Sequence, residues 1–121
     1  MTKTVLTVDD SRTMRDMLQL ALVEAGYRVI QAVDGVDGLE TLALEGADVV
    51  ITDINMPRLD GFGFIEGVRS DPKHRSTPIL VLTTESDPAK KERARQAGAT
   101  GWIVKPFNPE KLVDAVRRVA A

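Results

Sequence analysis

Residues 49–57 read Val49-Val50-Ile51-Thr52-Asp53-Ile54-Asn55-Met56-Pro57. A short apolar run of strand length stops on a carboxylate, and a turn through Met56-Pro57 follows. An earlier run, Val5-Leu6-Thr7-Val8, stops in the same way on Asp9-Asp10. Continuous apolar runs of this kind suit strands buried on both faces, as in a parallel sheet. Carboxylates placed where such strands end are poorly hydrated and repel one another. A bound divalent cation is the simplest offset if the three acids meet.

Outward from these runs, strand-length apolar segments alternate with stretches of helical period. Residues 4–9 read as the first strand. Met14, Met17, Leu18, Ala21, Leu22 and Ala25 mark one face of a helix that Gly26 closes. Residues 28–32 form a second strand. Asp34 is placed to cap a helix whose stripe is Val36, Leu39, Leu42 and Ala43. Residues 48–52 are the third strand, and a helix over 61–70 carries Phe62, Ile65 and Val68. Ile79 to Leu82 are the fourth strand. Pro88 opens and Gly98 ends the next helix, Pro being well suited to a first helical position. That helix offers mostly Ala inward and charge elsewhere, so it should be held loosely. Gly101 to Val104 make a fifth strand, and Asn108-Pro109 opens a last helix with Leu112, Val116 and Val119 facing inward. Five βα units without a linker or repeat predict one α/β domain with a parallel sheet. Right-handed crossovers then bring every strand's C-terminal end to one edge, where ligands bind.

The size and composition narrow the function. A chain of 121 residues fits one domain with a core of its own. Without cysteine there are no disulfides, thiolate metal sites or Cys nucleophiles. No signal segment follows Met1, and no apolar stretch approaches the roughly 18 residues of a membrane span, so the expectation is a cytoplasmic protein with no membrane partner. A net charge of −2 gives no global attraction to nucleic acid. Lys90, Lys91, Arg93 and Arg95 form a local basic group that reads as a solvated helix face. Gly61-Phe62-Gly63-Phe64-Ile65-Glu66-Gly67 spaces its last glycine one residue too far for a dinucleotide fingerprint and does not directly follow a strand. His74, the single histidine, lies in a polar loop and reads as solvated, so a phosphohistidine would have to come from another protein.

Two further residues fall at strand ends: Thr83 after the fourth strand, and Lys105, before Pro106, after the fifth. Val8-Asp9-Asp10, Asp53-Ile54-Asn55-Met56-Pro57, Asp60-Gly61, Leu82-Thr83-Thr84 and Lys105-Pro106-Phe107 together resemble the receiver domain of bacterial two-component response regulators, over the whole chain. Ser11 to Arg15, Asn55-Met56-Pro57 and Gly101 to Phe107 are similar to its single-domain chemotaxis branch. The resemblance implies a (βα)5 flavodoxin-like, doubly wound sheet in the order 2-1-3-4-5, and one receiver domain over 1–121 with no output domain. It implies that Asp53 is the phosphoacceptor, and that Asp9, Asp10, Asp53 and the backbone carbonyl of Asn55 hold Mg2+ or Mn2+. Lys105 and Thr83 would stabilise the phosphoryl group, and Thr84, Asn55 and Glu85 would govern access to it. The implied partners are a CheA-like histidine kinase, a flagellar motor switch protein or other output protein, and a phosphatase; the implied state is a monomer.

Each residue alone has an ordinary reading. Asp10 fits a cap for the first helix, Asp53 a polar strand end, Thr83 a turn residue and Lys105 a surface lysine. Their joint position at strand ends, with the motifs, favours the shared site. Two residues depart from the family pattern. Its mobile aromatic in the fifth strand is usually Tyr or Phe; here it is Trp102, whose alternative is a half-buried strand aromatic. Thr84 stands where a smaller residue is usual.

The leading expectation is a phosphorylation-activated signalling switch that turns over only its own phosphoryl group, in chemotaxis or else as a phosphate sink or relay intermediate. A phosphatase of the haloacid dehalogenase type is opposed by Asn55, which stands where that chemistry needs an acid. A nucleotide-binding module is opposed by the want of a glycine-rich phosphate loop.

Overall fold

A computed structural model describes residues 2–120. Five strands, β1 (Thr4–Val8), β2 (Arg28–Ala32), β3 (Val49–Thr52), β4 (Ile79–Thr83) and β5 (Gly101–Val104), pair in parallel in the order 2-1-3-4-5. Between and after them run α1 (Arg12–Glu24), α2 (Gly35–Glu45), α3 (Gly61–Ser70), α4 (Pro88–Ala97) and α5 (Pro109–Ala120), with a short 3-10 turn at Pro72–His74. This is the flavodoxin-like arrangement that the family resemblance implies.

Alternation along each strand supplies two cores. Leu6, Val8, Val50 and Val81 face Leu42, Phe64, Ile65 and Val68 of α2 and α3. Val5, Val49, Ile51, Leu80 and Leu82 face Leu18, Leu22, Leu112 and Val116 of α1 and α5. Because both faces are covered, the central strands read as unbroken apolar runs. Phe64 is fully buried, and its truncation to Ala would cost about 3–5 kcal/mol.

Register fixes the site. Val8 pairs with Thr52, so β1 and β3 end together and deliver Asp9, Asp10 and Asp53 to one place. Thr83 pairs with Val104, which puts Lys105 just past the end of β4.

The helices start where polar side chains satisfy free backbone N–H groups. Asp34, Asp60 and Asp87 accept from Asp37, Gly63 and Ala89, and Asn108 accepts from Glu110 and Lys111. Each such cap is worth about 1 kcal/mol. The cap of α1 is Ser11, whose Oγ accepts from the Met14 N–H at 3.2 Å; the ordinary reading of Asp10 as that cap is therefore set aside.

Three side chains depart from expectation. Met17 and Ala43 are exposed, because the buried stripes of α1 and α2 are narrower than the sequence suggested. His74 is buried, not solvated: its Nδ1 and Thr77 Oγ1 share a hydrogen bond of 3.0 Å. Arg69 closes that corner, donating to the carbonyls of His74, Thr77 and Gly98. The basic face of α4 is only partly free. Arg93 stacks 4.0 Å from the centre of the Phe62 ring, Arg95 pairs with Glu92, and Lys90 with Glu85. Ala94 is the one fully buried side chain of α4, so this helix buries little apolar surface, and the Arg93–Phe62 contact and the Arg69 bond to the Gly98 carbonyl add to its hold.

Candidate metal centre

Asp9, Asp10 and Asp53 each offer a carboxylate oxygen within 4.8 Å of the others. Asp9 and Asp53 are buried, and Asp10 is exposed at the mouth of the cluster. Backbone contacts hold the two buried acids in place. The Asp53 N–H donates to the Val8 carbonyl at 3.0 Å and the Asp9 N–H to the Ala32 carbonyl at 3.1 Å. Arg15 donates to the Asp9 carbonyl at 2.7 Å, which ties the Asp9-Asp10 turn to α1.

Lys105 reaches into the same place from β5. Its Nζ lies 2.9 Å from Asp9 Oδ2 and 3.0 Å from Asp53 Oδ2. The remaining oxygens are also engaged: Asp9 Oδ1 accepts from the Ser11 N–H at 2.9 Å, and Asp53 Oδ1 from the Ile54 N–H at 2.6 Å. The plane of the Asp53 carboxylate is thereby fixed. Burial pushes Asp9 above the usual carboxylate range, although the hydrogen bonds from Lys105 and Ser11 oppose it. Burial also works against the charged form of Lys105, but Asp9 and Asp53 outweigh it and hold the ammonium above its ordinary value.

The donor set fits a hard divalent cation. All the side-chain donors are oxygens, as Mg2+ and Mn2+ prefer. Three carboxylates and one ammonium leave two negative charges when all are ionised, which one divalent ion would cancel.

The other residues singled out in the sequence lie after β3, at and just past the end of β4, and on β5. Thr83 is fully buried, and its Oγ1 accepts from the Glu85 N–H at 3.3 Å. Its carbonyl accepts from the Lys105 N–H at 2.8 Å. Thr84 is exposed. Asn55 donates through Nδ2 to Glu85 Oε1 at 3.1 Å, and Lys90 approaches the same oxygen at 3.0 Å. Asn55 and then Lys90 hold the Glu85 carboxyl below its usual range. Trp102 is half-buried against the α2–α3 core and lines a cleft of about 230 Å³ beneath α4. Sequence reasoning did not single out the contacts of Arg15 and Lys90, or that of Arg58 with Asp34. Each joins residues whose neighbourhood depends on loop geometry, and no spacing rule signals it.

A family model for the response regulator receiver domain matches residues 5–117. The chain is 40% identical to the chemotaxis protein CheY1 of Helicobacter pylori, over 95% of this chain and 94% of that protein. It is also 40% identical to the probable transcriptional regulator ycf27 of Guillardia theta, but there the match covers only 44% of the longer relative. Among solved structures, the chemotaxis protein CheY4 of Vibrio cholerae superposes with a TM-score of 0.94 at 46% identity, over 98% of this chain and 99% of that one.

Proposed function

The chain belongs to the response regulator receiver domain family, and from that membership we propose that it accepts a phosphoryl group from a phosphohistidine onto Asp53. Receiver domains are switches of two-component signalling and not conventional enzymes; they work between a histidine kinase and an output target, and bind Mg2+ at an acidic pocket. The observation that carries the proposal is the reach of Lys105 to Asp9 and Asp53 together, within a cluster that Asp10 completes.

An Asp53 oxygen attacks phosphorus and forms a P–O bond. The P–N bond to the donor imidazole breaks, and its electron pair returns to the ring nitrogen. The resulting acyl phosphate is later hydrolysed by water, which restores the carboxylate and releases inorganic phosphate. Phosphoryl transfer asks a protein chiefly for positioning and charge neutralisation. Asp9, Asp10, Asp53 and the Asn55 backbone carbonyl would hold Mg2+, or Mn2+, which when bound spreads the charge of the phosphoryl oxygens. Lys105 follows the charge from the carboxylates to a phosphoryl oxygen. Thr84, Asn55 and Glu85 border the approach of donor and water.

The output runs through Thr83. Its hydroxyl turns from the Glu85 N–H to the phosphoryl group, drawing the β4–α4 loop with it. Only the difference in binding between the two loop positions moves the equilibrium. Trp102 rotates into the cleft under α4, and α4, β5 and α5 present an altered face. The chemotaxis relatives support a CheA-like kinase as donor and a flagellar motor switch protein as target. Phosphotransfer from purified kinases tests the proposal: wild type takes label and Asp53→Asn does not. Equal labelling of both would reject Asp53 as acceptor.

A further inference from the structure

The loop from Asp53 to Gly61 carries Asn55, and a strap from outside the metal centre holds it. Its far end is jammed against its start. The Gly61 N–H donates to the Ile54 carbonyl at 2.8 Å, and a Cβ on Gly61 would lie 2.3 Å from the Asp53 carbonyl oxygen. In between, the Leu59 N–H reaches back to the Pro57 carbonyl at 2.7 Å, closing a three-residue turn on Arg58. Arg58 has φ 64°, the one positive value outside glycine among the described residues. Such a turn is strained for a residue with a side chain, and something must hold it.

The holder is Asp34, on the loop between β2 and α2. Arg58 Nε donates to Asp34 Oδ2 at 2.7 Å and Nη2 to Asp34 Oδ1 at 3.0 Å, a fork that only arginine can make. The Asp34 side chain is only 5% exposed and is itself fixed by the Asp37 N–H at 2.8 Å. A second tie runs beside it. The Gly35 N–H donates to the Leu59 carbonyl at 3.1 Å, and a Cβ on Gly35 would lie 2.5 Å from that oxygen. Neither Asp34 nor Arg58 belongs to the acidic cluster.

We propose that Asp34 and Arg58 are positioning residues for the metal centre, clamping the strained loop so that the Asn55 carbonyl stays in place beside Asp53. The inference rests on the assignment of that carbonyl to Mg2+. Without the clamp the turn at Arg58 relaxes, and the carbonyl must be re-ordered each time the ion binds. The loss then falls on metal affinity more than on the phosphoryl step itself.

Calorimetric titration of the full chain with Mg2+ alone tests this, paired with phosphorylation by a small phosphodonor across Mg2+ concentrations. Arg58→Ala weakens Mg2+ binding by about 10-fold, as loss of a partner behind a metal ligand typically does. Its phosphorylation slows at low Mg2+ and recovers as Mg2+ saturates. Arg58→Lys keeps the charge without the fork and falls between. Asp34→Asn keeps the cap of α2 but loses the charged fork while Arg58 stays at its positive φ, so it folds even if the alanine variant does not, and it too binds Mg2+ more weakly than wild type. Mg2+ affinity within 2-fold of wild type in Asp34→Asn would overturn the clamp. Wild type that bound no Mg2+ would overturn the metal assignment along with it, whereas normal wild-type binding beside an unaffected variant overturns the clamp alone.

Discussion

The ammonium of Lys105 lies 3.0 Å from Oδ2 of Asp53, so the proposed phosphoacceptor rests ion-paired before any phosphoryl group arrives. The Lys105 side chain is only 10% exposed, and water screens the pair weakly. Two carboxylates share this one cation, since Asp9 lies 2.9 Å from the same nitrogen.

Lys105→Met keeps the bulk of the stem and removes the charge. Breaking one side of a buried pair costs about 3–5 kcal/mol. The mouth at Asp10 admits water here, so the metal-free variant should lose roughly 2–3 kcal/mol. Saturating Mg2+ should recover most of it. Phosphorylation by a small donor should fall by about 100-fold, the scale for removing one transition-state contact. Urea denaturation with and without Mg2+ measures the first effect. A variant as stable as wild type without metal would show that Lys105 does not neutralise the cluster.

Mg2+ should stabilise the fold by linkage. At 100 times its Kd an ion that binds only the folded state adds about 2.7 kcal/mol, roughly 10 °C in Tm for a domain of this size. Asp10→Asn removes the exposed member of the cluster. It should raise the Tm of the metal-free form slightly and weaken the Mg2+ response. No Mg2+ shift in wild type, with no gain in the variant, would mean that the three carboxylates do not share a site.

The parts of this architecture that follow from local pattern are legible in the chain. β3 ends at Asp53 because a strand buried on both faces cannot continue through a charge, and Asp34, Pro88 and Asn108 announce helix starts by their chemistry. The acids meet because β1 and β3 are neighbours, which the family resemblance implied and the register bears out. Contacts made between distant loops are not legible in this way. His74 looks polar in its segment, yet Thr77 and Arg69 enclose its corner. Asp34 reads as a cap and is one, but its second role depends on Arg58, 24 residues away. Met17 and Ala43 fit the helical period without fitting the width of the buried stripe.

Asp34 also sets a pH dependence. Its hydrogen bonds from Arg58, then from the Asp37 N–H, hold its carboxyl below the usual aspartate range. A folded-state pKa below the unfolded one means that the unfolded chain takes the proton first as pH falls. The stabilisation is therefore complete above the ordinary aspartate range and drains away as pH drops through it toward the folded-state value. Asp34→Asn, which can still cap α2, should be less stable at neutral pH and should show a shallower acid limb. Denaturation midpoints from neutral pH into the acid range give the comparison; parallel limbs would remove Asp34 from the balance.

Trp102 is the only tryptophan, so its fluorescence reports on β5 alone. The ring is half-buried beside a cleft of about 230 Å³, which gives it room to move. Phosphorylation in Mg2+ should change its emission, and Thr83→Ala should abolish that change while still accepting phosphate. A full emission change in Thr83→Ala would break the proposed link between Thr83 and Trp102.

Thr84 bears on the lifetime of the phosphoryl group. It is exposed directly after Thr83, where its β-branched side chain should crowd the approach of water. Glu85 and Asn55 resemble the pattern of short-lived phosphoryl groups, an opposing tendency. In this chain, however, Asn55 and Lys90 engage one oxygen of Glu85 at 3.1 and 3.0 Å, which leaves only the other oxygen to orient a water. Crowding at Thr84 and the partial tie on Glu85 should then act in the same direction, toward a longer lifetime. Thr84→Ala should speed loss of label from the isolated phosphoprotein by about 3-fold, under 1 kcal/mol in barrier height. Lys90→Met should add to that gain by freeing Glu85. An unchanged or slower rate in Thr84→Ala would place the control of water elsewhere than at this side chain.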